Sequence, residues 1–119
     1  MYATTIRFSM PADTDWEALR RLLVRRAFEV SRFMPGLRAE ALIFSPERSE
    51  IGGDYVWQTQ DDAEAYLRST AFRAAAQWWG EPRVERSELC AYVEDGDLVY
   101  PSEPLEAAPG AEPPSAGAP

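Results

Sequence analysis

Histidine is absent from this chain and cysteine occurs once, at Cys90. Without histidine there is no His-ligated haem, no Ser-His or Cys-His nucleophile pair, and no His-based zinc or iron site. A lone cysteine cannot make an internal disulfide or a thiolate metal cluster, so nothing demands an oxidising compartment. No apolar run approaches the roughly 18 residues a membrane span needs. The start, Met1-Tyr2-Ala3-Thr4-Thr5, lacks a basic region followed by an apolar stretch, so no secretory leader is expected and a cytoplasmic location is the default. Basic residues are the minority, 12 Lys and Arg against 20 Asp and Glu, for a net charge of −8. Nucleic acid is therefore not expected as a partner. A Gly-rich phosphate loop is missing too, since Gly52-Gly53 opens a strand rather than a helix.

What is present is an ordinary soluble composition, 45% hydrophobic over 119 residues, sized for one domain with a modest core. Residues 2–10 alternate, with Tyr2, Thr4, Ile6, Phe8 and Met10 on one face of a strand that Pro11 ends. Thr14-Asp15-Trp16-Glu17 matches a capping box with Thr14 as cap, and a helix is expected from there to about Arg32. Its apolar stripe is Trp16, Leu19, Leu23, Ala27 and Val30, widened by Leu22; Arg20, Arg21, Arg25 and Arg26 make a solvated face or an anion-recognising patch. Pro35-Gly36 stops it.

A second strand spans Leu37–Ser45, with Leu37, Ala39, Ala41 and Ile43 on one face and Leu42 and Phe44 on the other beside Arg38 and Glu40. The third runs from about Gly53 to Thr59, where the glycine pair implies a bulge or a close backbone approach. Thr59 or Asp61 caps the next helix, and Ser69 caps a further piece that ends at Gly80. Arg83–Val93 is the fourth strand; Asp95-Gly96-Asp97 turns the chain into a short arm, Leu98-Val99-Tyr100. From Pro101 the composition shifts to Pro, Ala, Gly, Ser and Glu, so residues 101–119 are expected to be a disordered acidic tail behind a domain of residues 1–100.

The order is β-α-β-β-α-β, an α+β, ferredoxin-like arrangement with an antiparallel sheet and helices on one face. The second sheet face then needs a cover, and a homodimer packed sheet to sheet through an isologous contact supplies it.

The string Met34-Pro35-Gly36-Leu37, then Pro46-Glu47, then Gly52-Gly53-Asp54-Tyr55-Val56-Trp57, followed by Ala63-Glu64-Ala65-Tyr66-Leu67, resembles the monooxygenase branch of the dimeric α+β barrel superfamily. This branch is akin to the antibiotic-biosynthesis monooxygenases, and the likeness covers residues 1 to about 95. The resemblance implies a homodimer with a pocket between helices and sheet. It also implies a small hydrophobic aromatic substrate, a phenol, anthrone or polyketide-type molecule, oxidised without metal or flavin, so no cofactor is expected. Haem-degrading relatives carry Trp-Leu-x-Ser-x-x-Phe with the iron-binding His four residues beyond. Here the stretch is Tyr66-Leu67-Arg68-Ser69-Thr70-Ala71-Phe72, and the His position is Ala76, which cannot bind iron.

The resemblance places Phe33, Tyr55, Trp57, Tyr66, Phe72, Trp79 and Tyr92 as candidates for the pocket wall, against plain core packing as the alternative. Cys90 fits a small buried filler better than a nucleophile. Arg26 is placed to hold a phenolate or carboxylate, or to serve as a surface or ion-paired residue. Tyr66 and the indole N–H of Trp57 or Trp79 are the candidate hydrogen-bonding groups, with Tyr66 and Trp57 the catalytic pair. A neutral tyrosine is a poor base; the substrate loses its proton unaided or with help from Asp54 or Glu40. A non-catalytic binder of an aromatic ligand, or a polyketide cyclase or isomerase, would use the same pocket without dioxygen.

Overall fold

The computed structural model describes residues 1–103. Strands β1 (Tyr2–Ser9), β2 (Leu37–Ser45), β3 (Glu50–Trp57) and β4 (Arg83–Glu88) form one antiparallel sheet in the order β2-β3-β1-β4. Helices α1 (Trp16–Glu29), α2 (Gln60–Leu67) and α3 (Thr70–Trp79) pack on one of its faces. This is the ferredoxin-like topology. By its contacts the chain divides into two units, Met1–Leu89 and Cys90 onward. The second contains a hairpin of β5 (Tyr92–Glu94) and β6 (Asp97–Tyr100). Asp95 and Gly96, at φ 52° and 82°, make its turn, the Asp-Gly signature of a tight hairpin. The fourth strand expected through Val93 therefore stops at Glu88. Most of the tail expected from residue 101 lies outside the described residues. Among those described, no helix is long and apolar enough to cross a membrane.

The period-2 pattern of β1 explains the core. Tyr2, Thr4, Ile6 and Phe8 are all buried, and their antiparallel partners Trp57, Tyr55, Gly53 and Ile51 on β3 are buried with them. Thr4 is tolerated there because its hydroxyl accepts a hydrogen bond from the Trp57 indole N–H at 3.0 Å, which satisfies both groups in a site where neither is more than 1% exposed. From the helices, Leu19, Leu23, Ala63, Phe72 and Ala75 close the core.

Local signals account for most boundaries, with three departures. Asp15, not Thr14, caps α1, its carboxylate accepting from the Ala18 N–H at 3.0 Å; the Thr14 hydroxyl instead donates to the Pro11 carbonyl at 2.6 Å. The helix ends at Glu29, and a short 3₁₀ turn over Ser31–Phe33 carries the chain into the Met34–Leu37 turn, where Gly36 takes φ 75°. Third, the register slips between Leu37 and Ala39, so the irregularity lies on β2 rather than at Gly52-Gly53. Both glycines keep continuous register with β1 and β2. What they provide is close approach. A Cβ on Gly52 would strike the Ile6 carbonyl oxygen, and one on Gly53 would lie 2.7 Å from the phenol end of Tyr55.

The sheet face away from the helices is mixed. Ala39, Ala41, Ile43 and Val56 share it with the Arg7–Asp54 ion pair, 3.0 Å long, that spans β1 and β3. No helix of the first unit covers it.

Candidate functional site

Strand parity sends Tyr55 and Trp57 to the same face of β3, where their rings stack 5.8 Å apart at 19°. Tyr66, on the inner side of α2, closes over both at 5.6 and 5.4 Å. Phe72 enters from the first turn of α3, 5.5 Å from Tyr66, because the Ser69 side chain caps that helix and fixes its start. Phe8 and Trp79 continue the series at 5.4 Å. These rings fill most of the space between helices and sheet. The void left among them is about 30 Å³, enough for a water or two at roughly 10–15 Å³ each and not for an aromatic ring. The aromatic-lined pocket expected between helices and sheet is thus largely filled by its own rings.

The polar ends of these residues converge on that void. Glu40, on the helix-facing side of β2, meets the hydroxyls of Ser31 and Tyr55. The Tyr55 hydroxyl lies beside that of Tyr66, which also meets the Arg26 guanidinium. The Tyr55 O–H faces both the Glu40 carboxylate and the Tyr66 oxygen, and Tyr66 is the acceptor toward Tyr55 and Arg26. Arg26, Tyr66, Tyr55 and Glu40 thus form one polar cluster around the void. Arg26 is held in place by donating to the Ala71 carbonyl at 3.3 Å. Burial raises the Glu40 carboxyl above the usual carboxylate range, against the hydrogen bonds from Ser31 and Tyr55 and the charge of Arg26. Burial likewise pushes both tyrosines above their ordinary value, with Tyr55 further raised by Tyr66 and Glu40.

Open space flanks the filled interior. A cleft of about 340 Å³ lies between α1 and α3, walled by Leu22, Val30, Ala74, Ala75, Trp78 and Trp79 with Arg25, Arg26 and Glu29 at its edge. Arg26, Ala75 and Trp79 line both this cleft and the buried void, so the cleft abuts the hydroxyl cluster. A second groove, about 290 Å³, runs past Trp57, Tyr66 and Met34. Two more, about 240 and 340 Å³, lie along α1 and β2 and share Glu40 with the void.

Of the residues singled out from sequence, Tyr55, Tyr66, Phe72, Trp79 and Arg26 all line the void. Trp57 departs from expectation: its ring belongs to the stack, but its N–H is engaged by Thr4, so it offers no donor to a ligand. Phe33 is no wall residue. It stands 67% exposed with the Arg32 guanidinium 4.6 Å over its ring. Tyr92 lies on β5 of the second unit, its hydroxyl donating to Glu94 at 2.8 Å. Cys90 is exposed rather than a buried filler. Asp54 is on the far sheet face, paired with Arg7, which leaves Glu40 as the acid of the site. Sequence reasoning missed Ser31 and the outer cleft with Trp78, which is 80% exposed. Glu40, named from sequence beside Asp54 as an aid to substrate deprotonation, also lines the void. The position at which the resemblance to haem-degrading proteins would place a histidine is Ala76, on α3.

No protein-family profile matches the chain. No curated protein matches it either. Solved structures share its fold. A protein of unknown function from Nitrosomonas europaea is 21% identical with TM-score 0.61, over 78% of this chain and 92% of that one. A monooxygenase of Streptomyces coelicolor, in complex with nanaomycin D, is 17% identical with TM-score 0.55, over 78% and 90%. A haem degrader of Mycobacterium tuberculosis, with two haems bound in its active site, is 16% identical with TM-score 0.59, over 79% and 100%. At these identities the shared property is the ferredoxin-like α+β fold.

Proposed function

We propose that this chain is a cofactor-free monooxygenase of a small aromatic phenol or anthrone. The observation that carries the reading is the wall common to the α1/α3 cleft and the buried hydroxyl cluster. A planar ring seated against Trp78 and Trp79 would direct its oxygen past Arg26 toward Tyr66. The cleft volume lies near the lower end of the range for small-molecule sites, about 300–1,000 Å³. The fold shared with the Streptomyces coelicolor monooxygenase supports the same reading.

In the chemistry proposed, the phenolic O–H of the substrate (for an anthrone, of its enol form) breaks and leaves an electron-rich anion. That anion transfers an electron to dioxygen; the radical pair joins to form a C–O bond, the peroxide anion so formed takes back the proton released in the first step, and loss of water gives the quinone. One oxygen atom ends in the product and one in water. The protein's part is to orient the ring, to stabilise the developing phenolate by the Arg26 charge and the Tyr66 hydroxyl, and to exclude water. Oxygen uptake with a panel of anthrones and naphthols tests this. Uptake matching quinone formation is expected.

A second reading, a non-catalytic binder of an aromatic ligand, draws support from Trp57, whose N–H is engaged within the core. Ligand binding with no oxygen consumed across the panel would select it; an isomerised product without oxygen consumption would select a cyclase. The sheet face that no helix of the first unit covers supports a homodimer in either case. Light scattering at micromolar concentration is expected to give twice the 13.4 kDa chain mass, and a monomer would contradict it.

A further inference from the structure

We propose that the α1/α3 cleft selects aromatic carboxylates, with the ring laid against Trp78 and the carboxylate held by Arg25. The inference rests on reading this cleft as the ligand site, and it names the class of molecule the site selects. Each helix gives the cleft one stripe of its surface. On α1, Leu22, Arg25, Arg26, Glu29 and Val30 follow the i, i+3, i+4, i+7, i+8 spacing of a single helical face. On α3, Ala74 and Ala75 stand one turn before Trp78 and Trp79. The small side chains leave the room, and the two indoles bound it. The Arg26 guanidinium donates to the Ala71 carbonyl at 3.3 Å and so ties α1 to the first turn of α3.

Trp78 and Arg25 are both left unengaged by the fold. Trp78 is 80% exposed and makes no ring contact among the described residues. An indole in water at the wall of a concave site is a surface for a flat, apolar partner. Arg25 is exposed, and among the described residues it makes no hydrogen bond or ion pair. Its neighbours are held: Arg20 by Glu17 at 2.6 Å, and Arg26 by Ala71. Glu29 lies one turn beyond Arg25, in the weaker order for a helical ion pair, base before acid, and the two do not pair.

Charge then decides the ligand. The cleft edge carries two guanidiniums against one carboxylate, in a chain whose net charge is −8. It is a locally positive site on an acidic protein, which favours a small anion. A neutral aromatic would leave Arg25 unused, whereas a carboxylate accepts two parallel N–H bonds from a guanidinium. Arg26 also lines the buried void, and Arg25 lines the cleft alone. The carboxylate therefore belongs at the solvent side of the cleft and the rest of the ring system at the inner side.

Calorimetric titration with 2-naphthoate and its neutral counterpart 2-naphthamide is the test. The wild type is expected to bind the naphthoate about tenfold tighter, the size of a charge-assisted hydrogen bond partly open to water. Arg25→Gln is expected to bring the ratio of the two affinities to about one. Arg21→Gln removes the same charge from an exposed position of the same helix outside the cleft, and is expected to keep the preference. Ala74→Leu fills the cleft from an exposed position and is expected to weaken both ligands. A wild type that does not prefer the naphthoate, a folded Arg25→Gln that keeps the preference, or an equal loss in Arg21→Gln overturns the proposal and leaves the cleft as a ligand site. Binding that Ala74→Leu does not weaken, or no binding of either ligand, overturns the cleft itself and with it the reading that seats the substrate there.

Discussion

Replacing Gly53 with alanine tests whether the glycine pair exists to seat Tyr55. A Cβ at Gly53 would lie 2.7 Å from both Cζ and Oη of Tyr55 and 2.8 Å from Cε1. Ordinary carbon contacts lie at about 3.5–4.0 Å, so the phenol end must retreat by roughly 1 Å. It has little room to do so: Tyr55 is 6% exposed and wedged between Trp57 and Tyr66 at 5.8 and 5.6 Å. Overpacking of this kind costs about 1–3 kcal/mol. Removing a glycine from a strand interior returns about 0.5–1 kcal/mol. The net loss expected is about 1–2 kcal/mol, or roughly 5–10 °C in Tm for a domain of this size. Thermal and urea unfolding of Gly53→Ala, Tyr55→Val and the double variant make the measurement. If the clash with the ring is the cause, the alanine costs at least about 1 kcal/mol less in the Tyr55→Val background. An equal cost in both backgrounds would show that the Tyr55 ring is not what the added Cβ strikes. Gly52→Ala is the contrast, because its Cβ meets the Ile6 carbonyl, backbone that cannot rotate aside. Its loss is expected at the upper end, about 3 kcal/mol, and independent of Tyr55.

Two further outcomes follow from buried polar groups. Thr4→Val removes the acceptor of the Trp57 indole N–H at nearly constant volume; urea unfolding should show a loss of about 1–3 kcal/mol, and a neutral result would mean the N–H finds another partner. Glu40 couples stability to pH. Its folded-state pKa is raised by burial above the ordinary 4.5, so its contribution is fully present below that value and lost as pH rises through the folded pKa. The Tm of Glu40→Gln minus that of the wild type should therefore climb as pH rises from about 4.5 and then level off. A difference that is flat with pH would contradict the burial of the carboxyl.

Sequence periodicity located the fold because its signals are local. The alternation of β1, the stop at Gly80 and the Ser69 cap each act within a few residues, and each holds in the structure. Where two local solutions compete, the pattern cannot choose. Thr14 and Asp15 both satisfy a helix cap, and the adjoining Pro11 carbonyl draws the Thr14 hydroxyl away. The register slip at Leu37/Ala39 and the break after Glu88 depend on pairing partners distant in sequence. The site was legible as a set of residue types and not as a shape. Tyr55, Tyr66, Arg26 and Trp79 do converge. That aromatic rings would fill their own pocket, and that the open cleft would lie one layer out, depends on three-dimensional packing of β3, α2 and α3. The same packing separates Asp54 from Glu40, since strand parity sends one to each sheet face.

Oxygenation at the Tyr66 cluster is measured with an oxygen electrode. Purified protein, treated with a metal chelator and free of flavin absorbance, is mixed with an anthrone, and the wild type is compared with Tyr66→Phe. The wild type is expected to take up one dioxygen per quinone formed, insensitive to the chelator, and a folded Tyr66→Phe to run at least about tenfold slower. Anthrone binding with no oxygen consumed, or consumption undiminished in Tyr66→Phe, would contradict oxygenation at the Tyr66 cluster.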